Sequence, residues 1–419
     1  RDLVRSRGLG DVYKRQAQEG DWYRISFDGK RGYVAAQYVT RYDTASGLNG
    51  AGRVTADVLN IRTAAKSGST SLGTVSQGTV IAVTGIESGG WFAVTYNGIS
   101  GYVASQYVLI CPTSALTGTA ELAFSRRAVL VLCADNGVVA QGVSQTDQSV
   151  TRAVAENLAA RRTSVCQMAQ TARCEVVPVD MGMAGDSVPG VVNCRIAAGT
   201  QDFTQGPAMT RAEAIDAIAA GIALVRAQKA QGVQLLATGE MGIGNTTTSS
   251  AVAAVLLGQP IETMTGRGAG LSDEGLARKI DAIRRGIAVN TPDAADPLDV
   301  LAKLGGFDLA GLCGVFLGGA LEGIPVLMDG FISGVAALCA VRLCPAAAKA
   351  VFASHCSSEP AARLVLEALG KAPLLTAGLH LGEGTGAVAS IPLWDMALAV
   401  YDHCYSFAEG GITPYTPQC

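Results

Sequence analysis

The rhythm of apolar and polar positions divides the chain. From Ala128 onward, short unbroken apolar runs alternate with longer stretches of helical period. Ala128–Cys133, Glu175–Asp180, Val233–Ala237, Ile324–Asp329 and Ala350–Ser354 read as strands, the first and third of them buried. Pro178 marks the second of these as an edge or a bulge. Between them, Ser149–Met168, Thr210–Gln231, Ser272–Asn290 and Ile391–Phe407 carry helical spacing. Thr210-x-x-Glu213 is a capping box with Gly232 as the stop, and Asp273 and Glu274 suit the first turn of their helix. Pro292–Asp299 reads as a loop. Such alternation predicts an α/β fold: an open, mostly parallel sheet with helices on both faces and ligands at the carboxyl ends of its strands.

Before this region the period is two, and the pattern occurs twice. Gly20–Val39 matches Gly90–Val108; Trp22 and Tyr33 correspond to Trp91 and Tyr102. Asp28-Gly29 and Asn97-Gly98 predict hairpin turns. With Leu59-Asn-Ile-Arg62, Gly90-Trp91 and Gly101-Tyr-Val103, the second copy resembles a bacterial SH3-like barrel. The expected layout is a basic, patternless, non-native leader at 1–16, a truncated SH3-like repeat at 17–40, an SH3-like domain at 53–109 and the α/β part at 117–419. Arg41–Arg53 and Cys111–Leu122 read as linkers. For the repeats, peptidoglycan or peptide contact and a passive spacer role stand level. Trp22 and Trp91 read as barrel packing.

Composition narrows the function classes. A net charge of −3 argues against nucleic acid as the main partner. No apolar run is long enough to span a bilayer. Leu309–Leu321 and Gly330–Val341 come nearest and are bounded by Asp308, Glu322, Asp329 and Arg342. The 11 cysteines, all from Cys111 onward and without a C-x-x-C pair, read as reduced thiols of a cytoplasmic protein. The 3 histidines show no ligand spacing, so no metal site is expected.

The stretch that carries chemistry is Gly239–Thr248, where a buried strand meets a glycine turn and a small, apolar helix begins. Such a junction offers N–H groups and a helix dipole to an anion. The spacing is that of a P-loop, yet Asn245 stands where the triphosphate-reading lysine belongs, so a nucleoside monophosphate suits it better. Glu240 within the turn suits ribose hydroxyls or a developing positive charge. Asp135–Ser144, Thr265–Gly270, Ser354–Pro360 and His380–Gly386 are further polar or glycine-rich loops able to face the same cleft. Glu383, among Gly382, Gly384 and Gly386, is a candidate general base. The alternative is a carboxylate capping the helix that starts near Ala387. By residue type alone Lys279 is a solvated helix residue, with phosphate anchoring the alternative. Cys356 and Ser357 have only His355 beside them and make no triad.

Residues from about Thr117 onward resemble the nicotinate-nucleotide–dimethylbenzimidazole phosphoribosyltransferases of cobalamin lower-ligand synthesis. The resemblance rests on Ala134–Ser144, Thr204–Thr210, Gly239–Thr247, Gly266–Glu274, Asp299–Asp308, Leu327–Phe331 and Leu381–Gly386. It implies a Rossmann-like domain with a small helical subdomain, acting as a cytoplasmic homodimer without cofactor or metal. It further implies transfer of the phosphoribosyl group of nicotinate mononucleotide to 5,6-dimethylbenzimidazole, giving α-ribazole 5′-phosphate and nicotinate. The family's general base falls on Glu383, and Glu240 is the carboxylate expected to steady the oxocarbenium-like transition state. Gly242, Gly244, Asn245 and Thr246 fall beside the mononucleotide, with Gly382 and Gly384 flanking the base. Lys279 falls on the phosphate side, and Ser144 and Gln148 fall at the benzimidazole pocket. Asn136 replaces a histidine common in the family. The family's N-terminal Gly-Ser-Leu-Gly helical segment is not found, and SH3-like repeats stand in its place.

Overall fold

The computed structural model describes residues 14–19, 22–27, 30–35, 50–87, 90–110, 112–118, 122–403 and 410–411. Leader residues 1–13, linker residues 41–49, Cys111 and 119–121, the Asp28-Gly29 turn, and 404–407 of the closing helix lie outside the described residues.

Residues 1–46 form one unit. Its strands β1 (Lys14–Glu19), β2 (Trp22–Phe27) and β3 (Lys30–Ala35) make an antiparallel sheet in that order. Strand β1 thus begins inside the segment set aside as leader.

The second unit opens with β4 (Gly50–Val54), β5 (Val58–Arg62), β6 (Ser71–Ser76), β7 (Val80–Glu87), β8 (Trp91–Tyr96), β9 (Ile99–Ala104) and β10 (Val108–Ile110). They close a seven-stranded antiparallel sheet in the order β10-β4-β7-β8-β9-β5-β6. Its core contains Leu59, Ile61, Ile81, Val83, Val94 and Val103. Asn97 (φ 46°) and Gly98 (φ 76°) turn β8 into β9 with positive φ at both positions, the geometry that matches strand twist. Within the expected second linker, Pro112–Thr117 is a helix, α1.

The α/β part follows with β11 (Arg127–Ala134), α2 (Ser149–Ala159), α3 (Ser164–Thr171), β12 (Glu175–Gly182), β13 (Val192–Asn193), α4 (Arg211–Ala230) and β14 (Leu235–Met241). Next come α5 (Asn245–Leu257), α6 (Ile261–Met264), α7 (Asp273–Asn290), α8 (Pro297–Leu304), α9 (Phe307–Glu322) and β15 (Val326–Met328). The chain ends with α10 (Phe331–Leu343), β16 (Val351–Ala353), α11 (Ala362–Ala368) and α12 (Thr385–His403). The sheet order is β13-β12-β11-β14-β15-β16, every pair parallel. Numbered within this sheet it is 3-2-1-4-5-6, the doubly wound order, and the winding reverses between β11 and β14. All residues of β11 are buried because helices cover both faces. Val129, Val131 and Cys133 pack with α2, α3 and α12 in one core cluster.

On the opposite face α4 and α9 meet backbone to backbone. A Cβ on Gly221 would lie 2.0 Å from the Gly311 carbonyl oxygen, and one on Gly314 would lie 2.0 Å from that of Ile218. Gly311 in turn admits Leu132 and Met181 of the sheet. Helices α5 to α8 pack against one another beside the sheet.

Several expected boundaries shift. Ser149–Met168 is two helices, because Arg161 turns left-handed (φ 60°) and Thr163 starts a new one. The loop expected over Pro292–Asp299 already contains the start of α8, with Asp296 as its N-cap and Pro297 in the first turn. The closing helix begins at Thr385, with Pro392 inside it. Pro178 lies in β12 just before the first residue paired with the two-residue β13, so its missing N–H leaves no ladder bond unmade there. The two long apolar runs are the buried helices α9 and α10. Among the described residues no helix is long and apolar enough to cross a membrane.

Candidate active site

The crevice at the β11/β14 switch point is where a doubly wound sheet binds ligands. Asp135 and Asn136 leave β11 there, and Gly242 leaves β14. The two turns touch: a Cβ on Gly242 would lie 2.5 Å from the Ala134 carbonyl oxygen. Gly244 (φ 90°) is the N-cap of α5, so the expected strand, glycine turn and helix start are all present.

The loops singled out by sequence converge. Gln145 Nε2 donates to the Ala269 carbonyl at 3.2 Å, tying the loop after β11 to the Thr265–Gly270 loop. Lys279 Nζ, from α7, donates to Thr246 Oγ1 at 2.8 Å and to the Gly266 carbonyl at 3.0 Å. The Glu383 N–H donates to the Glu240 carbonyl at 3.2 Å. Gly386 leaves room for His355, whose Nδ1 would be 2.0 Å from an added Cβ.

A carboxyl cluster forms the floor. Glu240 is the last residue but one of β14 and is 7% exposed; Asp308 lies in the first turn of α9 and is 0% exposed. The Asn245 amide nitrogen donates to both, to Glu240 Oε2 and, at 3.0 Å, to Asp308 Oδ2. The Asn245 side chain is therefore a clamp between two acids, with no proton on that nitrogen left for a phosphate. Burial, then the charge of Asp308, pushes Glu240 up to about 8. Burial pushes Asp308 up to about 6, against the pull of Asn245. Asp329, just after β15, is raised to about 6 by burial, although backbone N–H groups favour its charged form.

Asp329 Oδ1 accepts the Ala387 N–H at 2.9 Å, so the head of α12 is capped from β15. Glu383 is not that cap. It is half-buried, its backbone is left-handed (φ 59°), and its Oε2 is buried without a hydrogen-bond partner. Burial raises its pKa, while the Thr163 hydroxyl and Val165 N–H at the head of α3 oppose the rise. A non-glycine residue held at this φ costs about 1–3 kcal/mol, strain that clusters at working sites. Close approach explains Gly239 beside it, where a Cβ would lie 2.5 Å from the Glu383 carbonyl carbon.

Lys279 is fully buried, which corrects the solvated reading. Burial lowers its pKa to about 8, with Glu359 opposing. Its ammonium sits with Thr246 at the head of α5, where helix dipole and lysine both favour an anion. Gln148 Nε2 donates to the Asn136 carbonyl at 3.1 Å, and Ser144 Oγ accepts the Thr146 N–H at 3.3 Å; both side chains are half-buried at the rim. His355 Nδ1 lies 3.1 Å from Ser354 Oγ and 3.9 Å from Asp329 Oδ1. Sequence reasoning did not assign roles to Asp308, Asp329 and Glu359. The first two had a signal: a lone carboxyl bordering a long apolar run.

A 3-2-1-4-5-6 sheet whose switch point carries a lysine at a helix head and a cluster of buried carboxyls is the architecture of a nucleotide-binding α/β enzyme. Comparison with known families agrees. Residues 108–412 match the family model described as "Phosphoribosyltransferase", and residues 57–108 match the bacterial SH3 domain. The chain is 46% identical over 311 residues to the nicotinate-nucleotide–dimethylbenzimidazole phosphoribosyltransferase of Acetivibrio thermocellus, covering 74% of this chain and 89% of that protein. Identity to the Ruminiclostridium cellulolyticum enzyme of that name is 46%, covering 72% and 86%. The crystal structure of the Thermus thermophilus enzyme of that name superposes with a TM-score of 0.67 at 41% identity, covering 73% of this chain and 91% of that one. The chain belongs to the nicotinate-nucleotide–dimethylbenzimidazole phosphoribosyltransferase family and carries a bacterial SH3 domain in its N-terminal part.

Proposed function

We propose that the chain transfers the phosphoribosyl group of nicotinate mononucleotide to 5,6-dimethylbenzimidazole, releasing nicotinate and forming α-ribazole 5′-phosphate for the cobalamin lower ligand. The observation that carries this reading is Glu383, a half-buried carboxyl with an unpartnered oxygen, backbone-bonded to the buried Glu240. Glu383 takes the proton from the benzimidazole N–H. The other ring nitrogen forms a bond to ribose C1′, and the C1′–N bond to nicotinate breaks with its electron pair returning to the pyridine. Attack and departure on opposite faces invert β to α. Asp308 and Asp329, each raised only to about 6, carry negative charge near neutral pH toward the positive charge spreading over the sugar, the arrangement that favours an oxocarbenium-like transition state, and Glu240, raised to about 8, joins them as it ionises. Lys279, Thr246 and the head of α5 hold the 5′-phosphate; Gly242 and Gly244 let their turn pack on Ala134, Asn136 and Val139, and Gly382 and Gly384 let the Glu383 turn pack on Glu240 and Val129. Ser144 and Gln148 line the side that receives the benzimidazole.

The protein acts as a homodimer in the cytoplasm on this reading. Met396 and Val400, exposed one turn apart on α12, supply an apolar stripe suited to a second copy. The eight described cysteines are all free, as suits a reducing compartment. The decisive experiment incubates the protein with both substrates and follows α-ribazole 5′-phosphate and nicotinate by chromatography. Stoichiometric appearance of both supports the assignment; absence of both overturns it.

A further inference from the structure

One half-buried acid beside Lys279 and Gly266 has no part in this chemistry. Glu359, in the loop after β16, has its Oε2 buried with no hydrogen-bond partner. That oxygen lies against Gly266: a Cβ there would come within 1.9 Å of it. Lys279 is close enough for the two charges to interact, yet its described hydrogen bonds go to Thr246 and the Gly266 carbonyl. An acceptor left unpartnered in the interior is costly, so a ligand that supplies the donor recovers that cost on binding.

Resting on the reading above, we propose that Glu359 binds the vicinal ribose hydroxyls of the mononucleotide and selects ribose over deoxyribose. The ligand's own chemistry narrows the choice. A carboxylate beside a phosphate anchor repels the phosphate, and the nicotinate carboxylate offers no donor. The pyridinium nitrogen carries no proton and lies at C1′, across the sugar from the phosphate end. The ribose hydroxyls are the donors between the two, and one carboxylate can accept both.

The test is equilibrium calorimetry without the acceptor base, comparing nicotinate mononucleotide with its 2′-deoxy analogue. The intact chain should favour the ribonucleotide by about tenfold to hundredfold, the worth of a hydrogen bond to a charged group. In Glu359→Gln that ratio should shrink by at least about fivefold, while inorganic phosphate affinity stays the same or tightens. Glu359→Asp withdraws the oxygen by one methylene and gives the same readout if the Gln variant does not fold. An unchanged ratio in a folded variant, or no preference in the intact chain, overturns the assignment. If the intact chain binds neither nucleotide, the proposed function fails first, and the two failures are thereby told apart.

Discussion

Asp329 Oδ1 accepts the N–H of Ala387 at 2.9 Å, and this bond from the end of β15 fixes the head of α12. The turn holding Glu383 leads directly into that helix, so the same bond also holds that turn in place. Asp329→Ala should cost about 0.5–2 kcal/mol, the usual worth of a cap. It should also lower kcat, because the turn loses its anchor. Asp329→Asn, which keeps an acceptor, should recover most of the stability in denaturant titrations. Equal losses in the Ala and Asn variants would count against the capping role.

Glu383 pairs a left-handed backbone with the base role proposed for it. Glu383→Gln should lower kcat by about 10²–10⁴ while leaving the fold intact. Glu383→Gly should be equally inactive, yet more stable than Glu383→Ala, which loses the same side-chain contacts, since glycine relieves the left-handed backbone at φ 59°. A glycine variant with a Tm at or below that of the alanine variant would refute the strain account.

The acids clamped by Asn245 give a pH signature. Burial raises both, Glu240 to about 8 and Asp308 to about 6. The native state therefore holds protons that the unfolded chain releases near pH 4, so stability falls as pH rises from there through 6 and 8. Glu240→Gln should remove part of this slope. The variant should gain about 1–4 kcal/mol over the parent at pH 8.5, and little or nothing at pH 4. Parallel Tm–pH curves for the two proteins would exclude Glu240 as the source.

Lys279 titrates in the opposite sense. Its pKa is lowered to about 8, so it loses its charge as pH rises through that value. KM for the mononucleotide should therefore climb above pH 8, with KM for the base unaffected by this group. Lys279→Met should raise the mononucleotide KM by about 10–100-fold at pH 7 and flatten its rise with pH, the scale of a charged hydrogen bond. A profile of unaltered shape in the variant would assign the anion site elsewhere.

The barrel has a core of its own, which includes Ile81 at 1% exposure. Ile81→Ala should cost the barrel about 2–5 kcal/mol and produce an early melting transition. Turnover measured below that transition should be unchanged. A matching fall in kcat/KM would mean that the barrel supports the catalytic part.

Much of this was legible in the chain. Continuous apolar runs announced the doubly covered strands, and Thr210-x-x-Glu213 announced a capping box that is present. The junction from β14 to α5 was readable because a glycine turn into a helix has few other uses. Lys279 was misread by residue type, since nothing local shows that Thr246 and Gly266 await its ammonium. The break at Arg161 escaped notice because a left-handed arginine leaves no compositional mark. The Asn245–Asp308 contact spans 63 residues, and period and spacing carry no information at that range. Glu359 shows the same limit: its neighbour Gly266 looks like an ordinary turn glycine until the facing oxygen is seen.

The glycine seam between α4 and α9 has a further consequence. Rotamer changes can absorb a substitution where side chains separate two helices, but here main chain meets main chain. Neither helix can roll or slide, so Asp308 at the head of α9 rides on an unyielding spine. On the proposed reading, with Ser144 and Gln148 beside the acceptor, a roomier pocket for a bulkier ring is to be carved from their side rather than from this spine.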